Sequence, residues 1–117
     1  MIDKVNHYSL LYDFYGQLLT EKQQDFFELY YHQDWSLGEI AVYYEVSRTA
    51  VHDLLKRVEK ILDNYEKKLM LVSRFKEIDK ELQLLLQLVD GAGEFAKPVL
   101  AKDIRQKIIS IIELSRG

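Results

Sequence analysis

Between Ser47 and Lys60 the chain collects side chains suited to one kind of chemistry: hydrogen bonding and ion pairing to the base edges and phosphates of a nucleic acid. The candidate nucleic-acid-binding residues are Ser47, Arg48, Thr49, His52, Asp53, Lys56, Arg57 and Lys60. Early positions of a helix lying in a major groove reach base edges, and later basic positions reach phosphates. Arg48 suits a guanine edge or a phosphate, and Thr49 and His52 suit base edges. Asp53 can accept from a cytosine amino group, although its charge repels phosphate. The competing reading of the same residues is a solvated helix face with i,i+4 charge pairs, or a surface for a protein partner.

No other spacing in the chain supports reactive chemistry. His7, His32 and His52 lie far apart, no His-Glu-x-x-His occurs, and the chain has no cysteine. Gly91-Ala-Gly93 reads as a helix-breaking turn instead of a dinucleotide fingerprint. The expectation is a protein that is not an enzyme and calls for no metal and no cofactor.

The elements that must hold those side chains are legible around them. Ser36 to Leu55 reads as two short helices joined by a tight turn, the helix-turn-helix unit. Ser36 is an N-cap with Glu39 completing a capping box. Ile40, Ala41 and Tyr44 share one face of the first helix, and Ala41 is small where two helices cross. Val46 is read as a hydrophobic plug in the turn and Ser47 as the cap of the second helix. Val51, Leu54, Leu55 and Val58 give that helix its apolar face.

Upstream, Val5–Leu19 has Val5, Tyr8, Leu11, Tyr12 and Tyr15 at helical spacing. Thr20 and Gln23 form a second capping-box signature ahead of a helix over Glu21–His32, and Gln33–Trp35 is a loop. The many aromatics, Phe26, Phe27, Tyr30 and Tyr31 among them, could stack bases, but their helical spacing favours core. Downstream, steps of four and three predict a long helix from about 47 to 89, kinked or broken near Ser73 where the apolar stripe shifts. Asp90–Pro98 is the clear loop, and Val99–Leu114 a last helix presenting Leu100, Ile104, Ile108, Ile111 and Ile112. The expected fold class is therefore all-α. A helix-turn-helix lobe with N-terminal helices occupies residues 1–72. A C-terminal helical hairpin follows over 73–117, packed with the lobe as one domain or burying its stripe in a homo-oligomer.

Bulk properties set limits. A chain of 117 residues, 48% hydrophobic and 30% charged, is ordinary for a soluble domain with a real core. No secretory signal opens it and no apolar run reaches the ~20 residues of a membrane span. With no cysteine as well, the expected location is cytoplasmic. The net charge of −3 works against strong nucleic-acid binding. Residues 1–35 carry six acids against two bases, whereas residues 36–68 balance six against six. The reading unit is thus neutral, a weak electrostatic footprint for a lone DNA binder.

The run Glu39-Ile-Ala with Val46-Ser-Arg-Thr-Ala-Val and Leu54 resembles region 4 of bacterial sigma factors. More closely, the chain resembles the YlxM family of small bacterial proteins. The residues that carry this likeness are Leu11-Tyr-Asp-Phe-Tyr15, Leu18-Leu-Thr-Glu-Lys-Gln23, Leu29-Tyr-Tyr31, Ser36-Leu-Gly-Glu-Ile-Ala41, Val46-Ser-Arg48 and Ala50-Val51. Lys56-Arg57, Glu59-Lys60 and Tyr65-Glu-Lys-Lys-Leu69 extend it, so that it covers residues 8–75. The resemblance implies a sigma-region-4-like fold. It also implies, through gene neighbourhood, a regulatory role in the signal recognition particle pathway. Its implied partners are DNA or the particle's RNA, or alternatively the targeting GTPases, with the helix-turn-helix serving only as a scaffold. Two departures stand out. Glu45 occupies a turn position usually given to glycine, and His52-Asp53-Leu54-Leu55 replaces a more basic, polar run.

Overall fold

The computed structural model describes residues 2–92 and 98–115, with side chains over 4–91 and 102–113. Every regular element among the described residues is helical: α1 Ile2–Tyr15, α2 Glu21–Phe27, α3 Leu37–Tyr44, α4 Arg48–Leu69, α5 Leu71–Ala92 and α6 Pro98–Ser115. The all-α class is as expected. The chain divides into two compact units, Met1–Val72 and Ser73–Gly117.

In the first unit the capping signatures act as the sequence implies. Thr20 Oγ1 accepts from Gln23 N–H at 3.2 Å while Gln23 Oε1 accepts from Thr20 N–H at 3.0 Å, opening α2. Ser36 and Glu39 form the same reciprocal pair at 3.0 and 3.1 Å and open α3. Each box satisfies two amide donors that the first turn of a helix leaves without partners.

Two clusters make the core of this unit, and α4 belongs to both. Val51 and Leu55, in its first half, pack with Phe26 of α2 and with Ile40 and Ala41 of α3. Val58 and Leu62, in its second half, pack with Leu11 and Tyr15 of α1 and with Leu19, Phe27, Tyr31 and Val72. The apolar stripe of α4 is thus buried from Val51 to Leu62, which fixes the helix about its own axis and decides which residues face outward there.

Four elements differ from expectation. First, α1 ends at Tyr15 and not at Leu19, and a 3₁₀ turn over Gly16–Leu18 follows. A Cβ at Gly16 would lie 2.9 Å from the Tyr12 ring, so only glycine lets the chain pass there. Second, the helix begun at Glu21 widens into a π turn over Glu28–His32. The turn closes with Gln33 N–H on Glu28 O at 3.0 Å and Trp35 N–H on Leu29 O at 2.9 Å, and Asp34 sits at φ 57°. Periodicity at 3.6 residues does not reveal that extra residue per turn. Third, the break expected near Ser73 falls three residues earlier, at Met70, which takes φ 55°. Fourth, Val46 is 37% exposed, so it is not a buried plug; its amide instead closes the turn.

In the second unit α5 runs on through Asp90, Gly91 and Ala92, beyond the expected start of the loop. Residues 93–97 of that loop and the Leu100 side chain lie outside the described residues, and Pro98 opens α6. Arg105 Nε donates to Asp90 Oδ1 at 3.1 Å, tying α6 to the end of α5. Ile108 and Ile112 are buried, while Ile104 and Ile111 are exposed.

Candidate nucleic-acid interface

The turn between α3 and α4 is built by the residue that looked least suited to it. Glu45 adopts φ 56°, ψ 44°, the left-handed conformation that glycine usually supplies. Glu45 N–H bonds Val42 O at 3.3 Å and Val46 N–H bonds Ala41 O at 3.0 Å, the paired closure of a Schellman motif. Ser47 then caps α4, its Oγ accepting from Ala50 N–H at 3.0 Å. Helix, tight turn and capped helix share one core, which is the helix-turn-helix arrangement.

All eight candidate residues are exposed: Ser47, Arg48, Thr49, His52, Asp53, Lys56, Arg57 and Lys60. At 3.6 residues per turn, Thr49, Asp53, Lys56 and Lys60 run down the face opposite the buried stripe. His52 and Arg57 flank that row on opposite sides, and Ser47 and Arg48 stand at the N-terminal end. Six of the eight thus lie on the outward side of α4, while Ser47, its N-cap, and Arg48, on the azimuth of the buried stripe, are exposed only because they stand at the helix end.

Their charges are not all free. Lys56 Nζ lies 3.4 Å from Glu59 Oε2, and Lys4 Nζ lies 3.4 Å from Glu59 Oε1. Glu59 is buried and also accepts from the Tyr31 hydroxyl. Burial pushes the Glu59 carboxyl up, but the Tyr31 hydrogen bond and the Lys4 and Lys56 ammonium groups outweigh it and hold the carboxyl below its ordinary value. A buried carboxylate kept ionised this way holds Lys56 as its counter-ion. His52 Nδ1 lies 3.4 Å from Asp53 Oδ1.

One basic residue near this surface was missed by sequence reasoning. Asp53, Leu54 and Arg57 share a shallow hollow with Thr20, Lys22 and Gln23 at the start of α2. Lys22, whose Nζ stands 5.7 Å from the centre of the Phe26 ring, thus joins Arg57 at the edge of the α4 face. It lies on a different helix from the motif, so no local spacing pointed to it.

The described residues include no group of three or more His, Cys, Asp or Glu side chains placed to hold a metal ion. No helix among them is long and apolar enough to cross a membrane.

A capped helix presented from a small helical lobe defines a helix-turn-helix protein. Comparison with known proteins narrows the class. Residues 2–98 match the family model UPF0122, described as "Putative helix-turn-helix protein, YlxM / p13 like". A UPF0122 protein of Desulforamulus reducens is 53% identical over 104 residues, covering 86% of this chain and 89% of that protein. The UPF0122 protein YlxM of Bacillus subtilis is 46% identical over 93 residues, covering 80% of this chain and 84% of its own length. A relative from Bacillus licheniformis is 47% identical over 93 residues. The chain belongs to the UPF0122 (YlxM / p13 like) family, which is described as a helix-turn-helix family.

Proposed function

We propose that this protein is a regulatory helix-turn-helix protein that binds nucleic acid through the Arg48–Lys60 face of α4. The observation that carries the reading is the exposure of Thr49, His52, Asp53, Lys56, Arg57 and Lys60 on α4 away from the buried Val51, Leu55, Val58 and Leu62, with Ser47 and Arg48 exposed at its start. A recognition helix has to be anchored on one side and polar on the other. Arg48 and Thr49 stand at the N-terminal end, where groove-reading helices make their base contacts, and Arg57, Lys60 and Lys22 lie where a phosphate backbone would run. The family resemblance supports action in the signal recognition particle pathway, with duplex DNA or the particle's RNA as the ligand.

The neutral charge of this segment, together with the Glu59 clamp on Lys56, makes the interaction modest in strength. With about four phosphate contacts, the logarithm of duplex affinity falls by about three to four units per decade of salt. NMR titration of the isotope-labelled protein with duplex DNA and with the particle's RNA tests the surface directly. Amide shifts concentrated on Arg48–Lys60 and Lys22 support the reading. Shifts concentrated on α3, or none at low salt, overturn it.

A further inference from the structure

The outward face of α3 is unlike the α4 face beside it. Val42 is 80% exposed and Tyr43 66% exposed, both unusual for large apolar side chains on a short helix. Tyr43 meets Trp35 edge to face, ring centres 5.5 Å apart, and the two rings wall a shallow hollow of about 690 Å³. Ser36, Gly38, Glu39 and Val42 complete its lining.

Gly38 forms part of that lining, and nothing in the fold requires a glycine there. It sits in the first turn of α3 and does not adopt positive φ. An added Cβ would meet nothing closer than Ser36 Oγ at 3.9 Å. Glycine weakens a helix relative to alanine, so its presence costs stability with no packing return inside the molecule. What its missing side chain does is leave the hollow open.

The rim is acidic. From Asp25 to Glu45 the chain has five carboxylates (Asp25, Glu28, Asp34, Glu39 and Glu45) and neither lysine nor arginine. Asp25 and Glu28 line a second hollow on the other side of the same Trp35–Tyr43 pair. Glu39 in one hollow and Asp25 and Glu28 in the adjoining one put negative charge beside exposed aromatic and aliphatic surface, which repels phosphate and attracts cationic, apolar groups.

From these observations we infer that the α3 face is a docking site for a protein partner, whose contacting segment is a basic amphipathic helix. A large apolar side chain of that helix enters the hollow over Gly38, and its lysines or arginines meet Glu39, Asp25 and Glu28. The site is separate from the α4 face, so one molecule can hold a protein and a nucleic acid at once.

Trp35 is the only tryptophan in the chain, so its emission reads the hollow directly. The probe is a synthetic leucine–lysine amphipathic helix, set against a scrambled peptide, a leucine–glutamate peptide and single-stranded RNA. The leucine–lysine helix is expected to shift Trp35 emission to the blue and to saturate. In Gly38→Leu, which fills the hollow, and in Val42→Lys, which reverses its character, apparent affinity drops about tenfold or more. Arg48→Glu leaves the response unchanged, which separates this site from the α4 face. The melting temperature of Gly38→Leu stays level or rises, so loss of binding there is not loss of fold. The inference is overturned if Trp35 does not respond, if the scrambled or glutamate peptide acts equally, or if both variants bind as the parent does. A saturable response to RNA alone would also overturn it, marking the face as a base-stacking surface.

Discussion

The Tyr15 hydroxyl donates to Glu66 Oε1 at 2.7 Å and accepts from Leu71 N–H at 3.1 Å, while the same Glu66 oxygen accepts from Val72 N–H at 3.0 Å. These bonds explain why the chain between α4 and α5 is not one helix. Met70 turns into the left-handed region, its amide still bonded to Glu66 O at 2.8 Å, and the first donors of α5 are met by side chains. Glu66 and Tyr15 act as an N-cap supplied from elsewhere in the fold.

Removing one hydroxyl tests this arrangement. Tyr15→Phe leaves Leu71 N–H without its partner and takes a donor from the Glu66 carboxylate. A loss of about 1–3 kcal/mol in unfolding free energy is expected. Hydrogen exchange at Leu71 and Val72 should quicken more than at Val58. Uniform quickening would mean that the hydroxyl acts only through global stability.

The turn ahead of α4 gives a change in the opposite direction. A non-glycine residue in the left-handed region carries a steric cost that glycine lacks, partly offset by the greater freedom of glycine in the unfolded chain. Glu45→Gly should therefore stabilise the protein by about 0.5–1 kcal/mol, read as a higher denaturant midpoint with an unchanged slope. Destabilisation would show that the Glu45 side chain makes a contribution larger than its backbone cost.

Glu59 links stability to the binding face. Its carboxyl is held below the ordinary value of 4.5, so the stability it contributes is present above that value and is lost as pH falls through the lower folded value. Glu59→Gln still accepts from Tyr31 but carries no charge, so its stability should vary less with pH below 4.5 than that of the parent. The same change releases Lys56. Nucleic-acid affinity should rise several-fold and the salt slope steepen by about one contact. Unchanged binding would show that Lys56 lies outside the interface.

The shared core of α4 supplies a plain packing test. Leu62 is fully buried between α1 and the π turn, and Leu62→Ala should cost about 2–5 kcal/mol in a urea titration. A cost below about 1 kcal/mol would mean that the cluster collapses around the cavity.

What was legible in the sequence is what local chemistry encodes. Thr20–Gln23 and Ser36–Glu39 are each complete within four residues, and the Val51–Leu55–Val58–Leu62 stripe is a periodicity. The features that sequence reasoning missed depend on partners distant in the chain. The slip in the apolar stripe predicts a break near Ser73, but its place at Met70 is set by the Tyr15 hydroxyl, which no local pattern reveals. Glu59 looks like one more surface charge until Tyr31 and Lys4 close over it. The π turn at Glu28–His32 leaves no mark in a 3.6-residue pattern, and Lys22 reaches the edge of the α4 face only through packing of α2.

Fluorescence anisotropy with labelled duplex DNA and with signal recognition particle RNA, each titrated at low and near-physiological salt, tests the central claim most directly. The account predicts micromolar or tighter binding to one of the two, weakening as salt rises and lost in Arg48→Glu with the fold intact. Absence of binding to both at low salt, or binding that Arg48→Glu leaves unchanged, would contradict it.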